Sequence, residues 1–424
     1  MYRKSVLKNG LRVVSFQMPE RDSVSIGIWC GVGGRFETDE LKGAAHFLEH
    51  IVFKGTKNYS CNELKEQIEG VGGSLNAFTA EEHTCYYVKI PAKNIAKGFD
   101  VLADMVFYPK ISKKDVESER GVILEEIKMY YDLPQYFVVD SLEQLMWPDH
   151  PLGKGLAGSI ESVSGMTLKN ISSFHNRYYI PNNIVVSACG HVSHEALVDM
   201  VRRKTKQFTF GQRISAQSAA HDQKGPRAAF YFRQIEQMHM ALGVYGVNAF
   251  DKDRYALSLL NIIMGGNMSS RLFNEVREKR GLAYSIHSSF KSLSDTGLFL
   301  VRSGVDNMKV TQALTVILNE FKKVRQSMVT KSEFSRAKDY LIGQLLLGLE
   351  DTMEHMLWIG ESTMVRDRIP VPDEIIRMIK AVKIEDITRV AATILNEKTY
   401  NLTVVGPIKK EQEKEMRELL DVEL

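Results

Sequence analysis

The feature that most constrains this fold is a restart. After "GQRISAQSAAHDQKGPR", residues 211–227, a stretch that is polar, small and poor in apolar side chains, the order of predicted elements begins again. Such a stretch has little to bury and reads as a linker. Before it, "LRVVSFQM" and "SVSIGIWCGVGG" have strand character, a helix carries residues 43–56, and "SCNELKEQIEGVGG" is a second helix. Ser60 and Glu63 stand there in capping-box spacing and Gly72-Gly73 is the stop. "SLNAFTAEEHTCYYVKI" returns to strand. Helices follow near 93–107, 113–131 and 166–178, then the strand "NIVVSACG" and a helix over about 193–205. Beyond the linker, "AAFYFRQ" and "QMHMALGVYGV" are strands, "DRYALSLLNIIMGG" and "SSRLFNEVREKRG" are helices, and "LAYSIHSSFKSLSDTGLFLVRSGV" is a hairpin. The expected class is α+β, with two similar domains, each a mixed β-sheet covered by helices: residues 1–212, a linker 213–227, and 228–424.

Composition narrows the partners. With 55 basic and 52 acidic side chains the net charge is only +3, which gives no reason to expect nucleic acid or a membrane surface as a partner. The first twenty residues contain no apolar core of signal-peptide length, and no apolar run is long enough to cross a bilayer. Cys30, Cys61, Cys85 and Cys189 have no paired spacing, so buried thiols in a reducing compartment, the cytoplasm, are expected.

Chemistry concentrates in "GAAHFLEHIVFKGT", residues 43–56. His46, Glu49 and His50 stand at i, i+3 and i+4, on one face of a helix. Two imidazoles one turn apart can reach one ion, and a carboxylate beside them can take a proton from a water on that ion. H-x-x-E-H is the inverted form of the H-E-x-x-H zinc-peptidase motif. A catalytic zinc takes a third protein ligand. In "KKDVESERGVILEEIKMYYD", Glu126 stacks with Val122, Ile123, Met129 and Tyr130 on the apolar side, where a carboxylate needs a cation; Glu125 shares a solvated stripe with Ser118 and Lys128. Glu119, two turns before Glu126, is either an acceptor for a ligand histidine or a surface glutamate. "GHVSHEAL" also gathers His191, His194 and Glu195, but it spans a turn and a helix start and has no buried acid, so it is not expected to bind metal.

Residues His46 to His50 followed by "IVFKGT", then "LNAFTAEEHTCYY", "ESERGVILEE" and "SSRLFNEVREKRGLAYS", together resemble the pitrilysin family of zinc peptidases, most closely its mitochondrial-processing-peptidase branch. The match runs in order through both halves. It implies a metalloendopeptidase with one Zn2+ per chain, held by His46, His50 and Glu126, with Glu49 as general base and Glu119 as the supporting glutamate. It also implies a clamshell chamber, of which one chain forms half, that cuts unfolded or extended peptides or presequences.

Substrate in this family adds as an extra β-strand, which would lie along Asn76, Ala77 and Phe78. Phe53 would line the pocket after the scissile bond; taken alone it is a core phenylalanine. Arg277 and Tyr284 match residues that contact substrate and the developing oxyanion; taken alone they are a helix-end cation and a core aromatic. The second half repeats no metal motif, and family members of this length pair two chains, so a homodimer is expected with Arg277 and Tyr284 acting in cis or in trans. Where the mitochondrial enzyme has two acids that select arginine, this chain has Tyr136 and Asp140, so that specificity is not carried over and a bacterial cytoplasmic relative fits better. The rival expectation is a non-catalytic peptide-binding or assembly subunit akin to the respiratory-complex core proteins, which typically lose ligands.

Overall fold

The computed structural model describes residues 1–421 apart from positions 220, 327, 328 and 370. Position 220 of the expected linker and positions 327, 328, 370 and 422–424 of the expected second domain therefore lie outside the described residues. Two units are formed, each around its own sheet.

The first sheet contains β1 (Tyr2–Val6), β2 (Arg12–Gln17), β3 (Ser23–Cys30), β4 (Ser74–Thr79), β5 (Thr84–Pro91) and β6 (Ile184–Gly190) in the order β1-β2-β6-β3-β5-β4. The second contains β7 (Arg227–Phe232), β8 (Gln237–Tyr245), β9 (Ala283–Ser292), β10 (Gly297–Asp306) and β11 (Asn401–Gly406) in the order β7-β11-β8-β10-β9. Without the extra edge strand β1, the two orders superpose strand for strand. Each sheet has one parallel pair, β2 with β6 and β7 with β11, and is otherwise antiparallel. The α+β repeat expected from the restart is therefore present as topology.

Strand β3 is buried at every position but its first because both its faces are covered, although its sequence alternates. Val24, Ile26, Ile28 and Cys30 point into a core shared with α1 (Ala44–Val52), α2 (Cys61–Glu69) and α3 (Ile95–Phe107). Trp29 points the other way and packs with Ile359, on the helix Thr352–Arg366. That helix lies so close that a Cβ at Gly360 would sit 2.0 Å from Trp29 Nε1. The α2 capping box forms as expected, Ser60 Oγ accepting from Glu63 N.

The division into contiguous halves needs correction. The chain exchanges a helix in each direction: the segment beginning at Leu346, with the helix Thr352–Arg366, belongs to the first unit, and Met129–Lys154 belongs to the second. The latter segment contains α5 (Pro134–Met146), which follows α4 (Lys113–Asp132). On the second sheet, Thr403 Oγ1 donates to Val138 O at 2.7 Å, the Tyr245 hydroxyl to Met146 O at 2.5 Å and Arg227 Nη1 to Leu145 O at 2.9 Å. These helices were not separable by periodicity, because their partners lie in the other half of the sequence. The change of unit between Gln217 and Ser218 falls inside the stretch read as linker.

Candidate metal centre

Helix α1 is held by its apolar face and by its start. Ala44, Ala45, Phe47, Leu48, Ile51 and Val52 are buried, leaving His46, Glu49 and His50 on the remaining stripe. Its N-terminus has no side-chain cap of its own, since Gly43 adopts φ 91° where a Cβ would strike Ala157 O at 2.6 Å. Glu37 serves instead: Oε2 accepts from Gly43 N at 2.9 Å and Oε1 from Ala45 N at 2.7 Å. Burial pushes the Glu37 carboxyl up, against the opposing pull of Lys42, whose Nζ lies 3.3 Å away, and of the two backbone donors.

Helix α4 supplies the acids. Glu119, Ile123 and Glu126 form a stripe at i, i+4 and i+7, with Glu119 and Ile123 buried. This differs from the apolar stripe expected for Glu126, because Val122 and Met129 are each 49% exposed. Glu126 reaches inward beside Ile123 rather than among a full set of apolar neighbours. Its Oε1 lies 3.7 Å from His46 Nε2 and its Oε2 3.4 Å from His50 Nε2. One ligand atom from each of the three residues fits within a mutual separation of 4.8 Å, the only group of three or more histidine, cysteine or acidic side chains so gathered among the described residues.

Ligands bonded at 2.0–2.1 Å around a tetrahedral ion are separated by about 3.4 Å along each edge, so this donor set fits zinc. His50 Nδ1 lies 3.2 Å from Glu119 Oε2, which orients the ring with Nε2 toward Glu126. Lys54 Nζ lies 2.5 Å from the other Glu119 oxygen. Burial, assisted by the neighbouring His50 charge, pulls His46 down to about 4 against the attraction of Glu126, so its imidazole is neutral and free to donate a lone pair at neutral pH. For His50 burial acts downward too, but hydrogen bonds to Glu126 and Glu119 outweigh it and the net shift is upward.

Glu49 stands beside His50 on the same stripe. Its Oε2 accepts from Thr79 Oγ1 at 2.5 Å, and burial raises its carboxyl despite that hydrogen bond. Thr79, missed in the sequence, ends β4, and its signal was only its place directly after "NAF". Strand β4 is the outer strand of its sheet, paired on one side with β5. Asn76 is exposed there, while Ala77 and Phe78 are partly buried. Phe53 caps α1 and packs partly buried against the first core. His194 is engaged elsewhere, 2.8 Å from each of the Ser5 and Ser15 hydroxyls.

In the second unit, Arg277 lies on a π-helical turn, Phe273–Glu278, and Tyr284 is the second residue of β9. The Arg277 guanidinium sits 5.4 Å from the Tyr284 ring centre and 4.8 Å from that of Phe273. Tyr284 is 75% exposed, which excludes the reading of it as a core aromatic. Tyr136 and Asp140 both lie on α5, in this unit, and burial raises the Asp140 carboxyl against the pull of Lys291.

Residues 12–159 match the family described as insulinase (peptidase family M16), and residues 165–341 match the peptidase M16 inactive domain. An uncharacterized zinc protease of Streptomyces coelicolor is 38% identical over 97% of this chain and 90% of its own length. Another, YmxG of Bacillus subtilis, is 33% identical over 96% of this chain and 98% of its own. Among solved structures, a protease from Helicobacter pylori aligns with a TM-score of 0.90 at 24% identity, covering 96% of this chain and 99% of its own. A peptidase M16 inactive domain from Pseudomonas fluorescens aligns with a TM-score of 0.89 at 18% identity, covering 96% and 98%. These two carry the fold alone. From the sequence relatives and the matched models, the chain belongs to peptidase family M16, the insulinase or pitrilysin family of zinc proteases.

Proposed function

We propose that this chain is a zinc-dependent endopeptidase acting on unfolded or extended peptides, presequences among them. The observation that carries the reading is the convergence of His46 Nε2, His50 Nε2 and the Glu126 carboxylate, with Glu49 next in line on the same helix face. Zinc, held by His46, His50 and Glu126, would supply Lewis acidity and lower the pKa of a water toward 7. Glu49 then serves as general base: Thr79 holds Oε2, leaving Oε1 to accept the proton of the attacking water and pass it to the leaving amine. Glu119 keeps His50 in the tautomer that presents Nε2.

A peptide strand added at the outer edge of β4, along Asn76, Ala77 and Phe78, would run past Thr79, and Phe53 would take the side chain after the cut. Arg277 and Tyr284 are the proposed donors to substrate and developing oxyanion, and their exposure suits that role. One zinc per chain is proposed because the second unit repeats no ligand motif. The proposal extends to a homodimeric, cytoplasmic enzyme whose two chains close a chamber, with Arg277 and Tyr284 acting in cis or in trans. Its support is the resemblance together with four unpaired cysteines, three of them buried, as suits a reducing compartment.

The test is Glu49→Gln in the full chain. The variant retains about one zinc per chain by metal analysis and loses cleavage of a quenched peptide by a factor of about 100 or more. Retained turnover would remove Glu49 from the mechanism. Wild-type protein that holds no zinc would favour the non-catalytic peptide-binding reading instead.

A further inference from the structure

We propose that Lys54 is a positioning residue of the metal centre, holding Glu119 so that this carboxylate can orient His50. The inference rests on the zinc-peptidase reading and deepens it. Glu119 has a nearly buried side chain, 5% exposed, and divides its two oxygens: Oε1 lies 2.5 Å from Lys54 Nζ and Oε2 3.2 Å from His50 Nδ1. The Lys54 contact is an ion pair without hydrogen-bond geometry, while Oε2 is in hydrogen-bond contact with His50, so turning the carboxylate would give up one of the two partners. The ammonium also supplies the countercharge that makes burying this anion beside the site tolerable.

Lys54 is built into place rather than free on the surface. It follows Phe53, the cap of α1, its N–H donating to Ile51 O at 2.9 Å, so it stands one turn after His50. On its other side, Gly55 adopts φ 132° and Thr56 is anchored, Oγ1 donating to the buried Asp104 at 2.5 Å while its N–H donates to Tyr59 O at 2.7 Å. Asp104 is also held by Lys204 at 2.9 Å and by Asn58 Nδ2 at 2.9 Å. The chain on both sides of Lys54 is thus fixed, and its side chain, 31% exposed, is aimed at Glu119. Lys54 therefore acts on the metal only through Glu119 and then His50.

The test uses full-length protein stripped of metal, with zinc affinity measured by competition against a chromogenic chelator and folding by the melting temperature of the metal-free form. Lys54→Met is expected to weaken zinc binding about tenfold, at the lower end of the loss seen when a ligand's supporting partner is removed. Lys54→Arg, which keeps a cation, recovers part of the loss. In a Glu119→Gln background, Lys54→Met adds nothing further, because its route to His50 is already cut. Should Lys54→Met fail to fold, Lys54→Gln is judged by the same criteria. A Lys54 variant that binds zinc as tightly as wild type, or a double variant whose loss is the product of the two single losses, overturns the inference. Wild-type protein that binds no zinc brings down the peptidase reading as well; tight wild-type binding with an unaffected Lys54→Met brings down this inference alone.

Discussion

The two units share a strand order and differ in one helix. In each, a helix follows the second strand of the matching set: Ala44–Val52 after β3 and Arg254–Met264 after β8. The first buries six of its nine residues and leaves two imidazoles and a carboxylate on the stripe facing α4. The second buries seven of eleven, including Leu257, Leu260, Ile263 and Met264, and contains neither histidine nor acid. The edge strands differ in the same sense, since β4 ends on Thr79, bonded to Glu49, whereas β9 has an exposed Tyr284 at its second position, beside Arg277. One strand order thus appears twice, once beside a His46, His50 and Glu126 cluster that could hold a metal and once beside an exposed Tyr284 and Arg277. The difference rests on a few side chains rather than on topology.

Three experiments would break or sharpen that contrast. Glu126→Gln removes one of three ligands, and both zinc retention and peptide cleavage are expected to fall by more than the about 10–100-fold that loss of a supporting partner costs. Metal analysis beside a quenched-peptide assay reads both, and retained zinc would mean that Glu126 is not a required ligand. Tyr284→Phe is expected to lower kcat by about 100-fold, the scale for one oxyanion donor, with zinc stoichiometry unchanged. A fall in zinc content would contradict the separation of roles between the units. Gly360→Ala places a methyl group against Trp29 and is expected to destabilise the fold by about 1–3 kcal/mol through overpacking. An unshifted melting temperature would detach the helix Thr352–Arg366 from the first sheet.

The elements visible in the sequence were those whose signals are local. The Ser60 and Glu63 capping box and the alternation in Ser23–Cys30 each predict an element that is present. His46, Glu49 and His50 were legible because helical spacing alone puts them on one face. Glu126 does approach His46 and His50, but not from the apolar surroundings expected for it: Ile123 is buried beside it, while Val122 and Met129 are half exposed. What stayed hidden depends on pairings across long stretches of chain. The exchange of α5 and the helix Thr352–Arg366 is decided by Trp29 meeting Gly360 and Val138 meeting Thr403, contacts that no periodicity encodes. Glu37, which caps α1 from seven residues before its first turn, and Thr79, which holds Glu49 from the hairpin edge, are ordinary polar residues until the fold brings them in.

The most direct test of a metal held between α1 and α4 is anomalous diffraction at the zinc edge from crystals of the zinc-loaded protein. The expected result is a single strong peak per chain, about 2.0–2.2 Å from His46 Nε2, His50 Nε2 and a Glu126 oxygen. A peak elsewhere, or density showing these three side chains with no metal between them, would contradict it.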